Sequence, residues 1–180
     1  MVVKKLKQAP TTLIFTTTRS QAELWHQSLT KAAPELAERL ALHHGSLDRE
    51  LRRTVEGMLD RGELIGVVCT SSLDLGVDFT PVEQVIQIGS PKGVARLTQR
   101  AGRSGHQPGA LSKLVGVPTN ALEIIEFGAA RAALARGEIE GRTPVRLPLD
   151  VLIQHIVTTG LAGHVSPDAL LAEVRGTHAF

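Results

Sequence analysis

The sequence predicts an α/β fold, a parallel sheet covered by helices on both faces. Three observations predict it. Short apolar, β-branched runs recur along the first three quarters of the chain. Between them lie stretches whose apolar residues fall at helical spacing. Gly and Pro mark the boundaries, at Pro34, Gly62 and Gly137 among others. Strands that alternate with helices join as parallel neighbours, with the connecting helices laid over the sheet.

The elements follow in order. Residues 12–16 (TLIFT) form the first strand. Ser20 caps a helix with Ala22, Trp25 and Leu29 on one face, ending before Pro34. Residues 40–43 are a second short strand. Ser46 or Asp48 caps the next helix, whose apolar face is Leu51, Val55, Met58 and Leu59, and Gly62 closes it. Residues 64–69 (LIGVVC) and 82–88 (VEQVIQI) are strands. Residues 93–103 are helical, with Gly102 and Gly105 breaking the pattern. Residues 110–117 (ALSKLVGV) are a last strand, and Asn120 caps an Ala-rich helix that runs to about Arg136.

Residues 1–10 read as a lead-in and 11–137 as the main domain. Residues 138–148, within the Gly-, Pro- and charge-rich stretch GEIEGRTPVRLP, read as a linker. Beyond it Leu149, Leu152, Ile153, Ile156 and Val157 sit at helical spacing, and Ser166-Pro167-Asp168 starts another helix. Two short helices close no core of their own. Residues 149–180 are therefore expected to begin a further domain cut short at Phe180, the alternative being a helical tail docked on the main domain.

Composition narrows the function classes. The chain has 180 residues, 42% apolar and 21% charged, which suits a globular domain with an appendage. Aromatics make up 3%, too few for a single-strand binder built on stacked rings. The net charge of +2 permits phosphate contact without demanding it. Cys69 is the only cysteine, so there is no internal disulfide and no cysteine-based zinc site. No apolar run reaches the ~20 residues of a membrane span, and no signal peptide opens the chain. The expected location is the cytoplasm.

Ligands of open parallel sheets bind beyond the carboxyl ends of the strands. Four polar segments would gather there: TTTRS (16–20), HGS (44–46), TSSLDLGVD (70–78) and QRAGRSGH (99–106). Thr16, Thr18, Ser46, Thr70 and Ser71 offer hydroxyls near helix starts, which suits phosphate held without base reading, or simply helix capping. Arg19 adds a charge-assisted phosphate contact. Arg100 and Arg103 lie three apart, as a surface pair or as guanidinium groups aimed at a transferring phosphoryl group. No G-x-x-x-x-G-K-[ST] occurs, and no Asp-Glu pair follows a strand to hold magnesium. The phosphate cradle and metal site must come from another domain. The adjacent His43 and His44 point to opposite faces of a strand, which disfavours a shared metal; no metal site is expected.

These segments, in this order, resemble helicase motifs IV (LIFTTTRS, 13–20), IVa (HHGSL, 43–47), V (CTSSLDLGVDF, 69–79) and VI (QRAGRSGH, 99–106) of the second RecA-like domain of superfamily 2. HHGSLDRE (43–50) and QIGSPKGVAR (87–96) are similar to the large helicase-related (Lhr) family. NALEIIEF (120–127), PLDVLIQHIV (148–157) and LLAEVRGTHAF (170–180) are similar to its bacterial, ligase-associated subgroup.

The resemblance implies a RecA-like sheet followed by the start of a winged helix. It implies the second motor domain of a DEXH-box, ATP-dependent 3′-to-5′ DNA helicase of DNA repair, inactive without the first RecA-like domain of the same polypeptide. Arg103 would be the arginine finger, with Gln99 and Arg100 at the same interface. Gly76, Asp78 and Gly102 would face ATP, whose Mg2+ the first domain mainly holds. Thr16, Arg19, His44, Gly45, Ser46, Thr70 and Ser71 would face single-stranded DNA or a tailed duplex. A repair ligase or nuclease is an expected partner. His106 stands where many superfamily 2 proteins carry a second arginine, so no γ-phosphate role is assigned to it. The rival reading is a free-standing, non-catalytic RecA-like module that binds nucleic acid or a protein.

Overall fold

Leu13 and Phe15 face one side of the first strand and Ile14 the other, and both sides are fully buried. The whole fold follows from that arrangement in a computed structural model. The model describes residues 1–74, 82–105, 111–141, 143, 145–163 and 166–180. The chain divides into two compact units, Met1–Glu140 and Gly141–Phe180.

The first unit holds five parallel strands: β1 (Thr12–Phe15), β2 (Leu40–His43), β3 (Gly66–Cys69), β4 (Gln84–Ile88) and β5 (Leu114–Val117). Their order across the sheet is β2-β3-β1-β4-β5. Helices α1 (Val2–Leu6) and α2 (Arg19–Ala32) cover one face, packing Val2, Leu6, Ala22 and Leu29 against Ile14, Val68 and Ile86. Helix α3 (Arg49–Asp60) covers the other face, where Val55 and Leu59 meet Leu13, Phe15, Val67 and Val85. Helices α4 (Val94–Ala101) and α5 (Ala121–Ala135) follow β4 and β5. This is the helix-covered parallel sheet that the sequence predicts.

Several local details differ from the expectations. Thr18, not Ser20, caps α2, its hydroxyl accepting from Gln21 N at 3.2 Å. Of the two caps expected for α3, Asp48 is the one used, accepting from Glu50 N at 2.8 Å. Asn120 caps α5 as expected, and Gly137 follows with φ 70. The lead-in is helical: Leu6 is fully buried and belongs to the core. A 3-10 turn, Pro34–Arg39, joins α2 to β2. The strands are shorter than the apolar runs: Leu64, Ile65 and Val82 are buried but lie in the approaches to β3 and β4, outside the strands. At Gly116 of β5 a Cβ would lie 2.7 Å from the Phe127 ring, so glycine there lets α5 pack close to the sheet edge.

The second unit holds α6 (Leu149–Ala162) and α7 (Pro167–Arg175). Leu152, Ile156, Leu170 and Val174 line one groove between them. Neither helix buries a residue, as expected of two helices that cannot close a core. No helix among the described residues is long and apolar enough to cross a membrane.

Candidate nucleotide and strand interface

The register of the sheet decides which loops meet. Phe15 pairs with Cys69 on one side and Gln87 on the other, and His43 pairs with Cys69. The next residues, Thr16, His44 and Thr70, therefore emerge side by side at the carboxyl edge. The backbone closes over the edge: Thr16 N donates to Cys69 O at 2.8 Å and Thr70 N to His43 O at 3.3 Å. From β1 the chain turns toward β2, and from β4 it turns the other way toward β5. That makes the β1/β4 gap the switch point where such sheets bind ligands.

Not every expected residue faces outward. Thr16, His44 and Thr70 are buried. The Thr16 hydroxyl donates to backbone carbonyls, with Cys69 O and Thr18 O each at 3.2 Å. His44 Nδ1 accepts from Ser46 N at 3.3 Å, and its Nε2 lies 3.3 Å from Glu23 Oε1 without hydrogen-bond alignment. These side chains support the surface instead of forming it, because the strand ends they occupy lie inside the fold. Arg19, Gly45, Ser46 and Ser71 are exposed, and Arg19 Nη1 donates to Ser46 Oγ, joining two of the loops.

Arg100, placed by the sequence at the nucleotide interface, is likewise buried. It is 4% exposed and points inward. Its Nε and Nη2 donate to Asp74 Oδ1 and Oδ2 at 2.7 and 3.1 Å, and Nη1 donates to Gln87 Oε1 at 2.5 Å. Its guanidinium carbon sits 4.5 Å from the centre of the Phe15 ring. Burial of a charge is tolerable only with such partners. Arg103, one turn on, is half-buried, and its Nη2 donates to the backbone carbonyl of Asp74 at 2.9 Å. Gln99 and Gly102 are exposed beside it. Gly76, Asp78 and His106 lie outside the described residues.

Sequence reading missed the partners. Asp74 and Gln87 hold Arg100, and the available signal was Gln87 itself, a polar residue inside an apolar strand, which must be hydrogen-bonded. It also missed Glu140, whose carboxylate accepts from Val94 N and, at 2.8 Å, from Ala95 N at the start of α4. Those two N–H groups hold the Glu140 carboxyl below the usual range.

His43 makes a third tie. Its Nε2 lies 3.0 Å from Glu56 Oε1 on α3 and its Nδ1 2.8 Å from Ser72 Oγ. Burial pushes its imidazole below the ordinary value, outweighing the pull of Glu56, with Arg52 and His44 adding to the depression. The folded state then binds fewer protons than the unfolded one between the depressed value and about 6.5. This stability contribution is present above that ordinary value and lost as pH falls below it. The melting temperature of the chain should drop between neutral pH and pH ~5, and less steeply in His43→Asn. Equal slopes in both proteins would remove His43 from this role.

The comparisons with known proteins agree with this geometry. Residues 1–107 match the helicase conserved C-terminal domain, and residues 132–180 match the winged helix domain of the large helicase-related protein. The chain belongs to the helicase C-terminal domain family, in its Lhr branch. It is 40% identical over 161 residues to the ATP-dependent helicase Lhr-Core protein 2 of Thermococcus barophilus, covering 87% of this chain and 18% of that protein. It is 39% identical over 133 residues to the Lhr helicase/uracil glycosylase of Escherichia coli, covering 74% of this chain and 9% of that one. The structure of Mycobacterium smegmatis helicase Lhr bound to ssDNA and AMP-PNP superposes with a TM-score of 0.83 at 35% identity, over 97% of this chain and 23% of that one. These Lhr relatives are archaeal and bacterial alike, and do not single out the bacterial ligase-associated subgroup. The chain spans less than a quarter of each of these relatives.

Proposed function

We propose that this chain is the second motor domain of an ATP-dependent, DEXH-type DNA helicase that moves 3′-to-5′ and serves DNA repair, with a ligase or nuclease as partner. The observation that carries the reading is the placement of Arg103. It stands at the end of α4, tied to the segment after β3, on the sheet edge where Arg19, Ser46 and Ser71 are exposed. The relative solved with ssDNA and AMP-PNP matches over 97% of this chain. One guanidinium at that edge fits the outer side of a triphosphate, and Gln99 and Gly102 lie next to it; Gly76 and Asp78 would complete the nucleotide side. Mg2+ would be held mainly by the first RecA-like domain.

ATP would supply the transferable phosphoryl group. In this account Arg103 neutralises charge on that group as it leaves, which needs a positioned cation and no proton transfer. Arg19, Gly45, Ser46 and Ser71 bind the strand through phosphates, without reading sequence. Residues 149–180 begin a winged helix that the rest of the polypeptide completes. A calorimetric titration of the isolated chain with Mg-ATP tests the reading. The expected result is no binding in the micromolar range and no hydrolysis, with DNA-stimulated hydrolysis by the complete polypeptide. Micromolar affinity in the isolated chain would favour a self-sufficient nucleotide-binding module.

A further inference from the structure

Gln87 sits in the middle of the sheet's working edge and has two tasks at once. It is fully buried on β4 at the switch point, opposite Phe15. Its Nε2 reaches three carbonyls of the turn that leaves β4: Ile88 O at 3.0 Å, Gly89 O at 3.4 Å and Ser90 O at 3.3 Å. Its Oε1 accepts from Arg100 Nη1. The amide has one workable orientation, because a flip would set its NH2 against a guanidinium that only donates and its oxygen against three acceptors. Arg100, so held, grips both carboxylate oxygens of Asp74, and the Asp74 carbonyl receives Arg103. The links run without a gap from the turn after β4, through Gln87, Arg100 and Asp74, to Arg103.

We propose that Gln87 is a positioning residue for Arg103, acting through Arg100 and Asp74 from inside the sheet. This rests on the reading of Arg103 as the group that meets the transferring phosphoryl. Catalysis by a positioned charge is sensitive to small displacements, and an error of about 1 Å can cost up to ~100-fold. Gln87 is fully buried and offers no surface to a nucleotide or a strand, so its effect would pass through the arginine.

The test is a double-substitution cycle in the complete polypeptide, with Gln87→Met, Arg103→Ala and both together. Methionine keeps the volume and removes both polar ends. Gln87→Met is expected to lower kcat of DNA-stimulated ATP hydrolysis by about tenfold, while KM for ATP and the affinity for a single-stranded oligonucleotide stay within about twofold. Added to Arg103→Ala, it should cost nothing more, because the arginine it positions is gone. A structural role alone would lower the melting temperature and leave kcat per folded molecule unchanged. If Gln87→Met fails to fold, Gln87→Glu carries the test. It keeps an acceptor for Arg100 and should retain more kcat than Gln87→Leu made at the same expression temperature. Normal kcat in folded Gln87→Met, an additive loss in the double variant, or equal kcat for the Glu and Leu variants would overturn the proposal. Near-normal turnover in Arg103→Ala would instead overturn the reading on which it rests.

Discussion

Asp74→Ala is expected to cost the fold about 3–5 kcal/mol, the scale of breaking a buried ion pair by removing one partner. Arg100 would remain buried with two of its donors facing no acceptor, over the Phe15 ring and beside one remaining oxygen from Gln87. Total stabilities of domains run to about 5–15 kcal/mol, so this is a large share. The melting temperature should fall by roughly 6–20 °C, measured by circular dichroism on the chain alone. Removing both charges is gentler: Asp74→Leu with Arg100→Met should recover most of the loss, since a pair of apolar residues can replace a buried salt bridge at little cost. A melting temperature within a degree or two of wild type in Asp74→Ala would mean that Arg100 is not held as described.

The strands and helices could be read from the sequence because each follows a local rule. Residues 12–15, 40–43 and 66–69 are apolar runs between turn residues, and Asp48 and Asn120 stand where caps belong. The fold class followed from their alternation. What escaped depends on contacts distant in sequence. Thr18 and not Ser20 is the cap where the chain leaves β1, just after Thr16 is tied to Cys69 O, 53 positions away. The helix at Val2–Leu6 is too short to announce itself, and it exists because Leu6 finds the core.

The site was readable as a set of loops but not as a set of side-chain directions. Periodicity places Arg100 and Arg103 near one another without saying which one turns inward. Asp74 and Gln87, residues 26 and 13 positions away, decide that. In the same way Thr16 and His44 lie on loops that the register gathers at one edge, yet they are buried there while Arg19 and Ser46 are exposed. Glu140 shows the same limit. It lies in the Gly- and Pro-rich stretch and nevertheless caps α4 from 45 positions away.

Arg103 carries the largest expected effect. Its hydrogen bond to the Asp74 carbonyl is one of the contacts that tie it to its own domain, so Arg103→Ala should cost the isolated chain at least about 1.5–3 kcal/mol, the scale of a single hydrogen bond from a charged donor. Affinity for single-stranded DNA should change little, because the contacts proposed for the strand are the exposed Arg19, Ser46 and Ser71 on other loops. Turnover should respond on another scale. A finger that neutralises the transferring phosphoryl group is worth about 10³–10⁵ in rate, far more than the stability cost could explain in a protein still folded. Arg103→Lys should restore little of it, because an ammonium lacks the planar fork that spans two phosphate oxygens and also reaches the Asp74 carbonyl. The decisive measurement is the steady-state rate of DNA-stimulated ATP hydrolysis by the complete polypeptide carrying Arg103→Ala, at saturating DNA and ATP. A loss of at least about a thousandfold, with DNA affinity retained, is the predicted result. Turnover near that of the unsubstituted enzyme would contradict the assignment of this domain as the one that completes the ATP site.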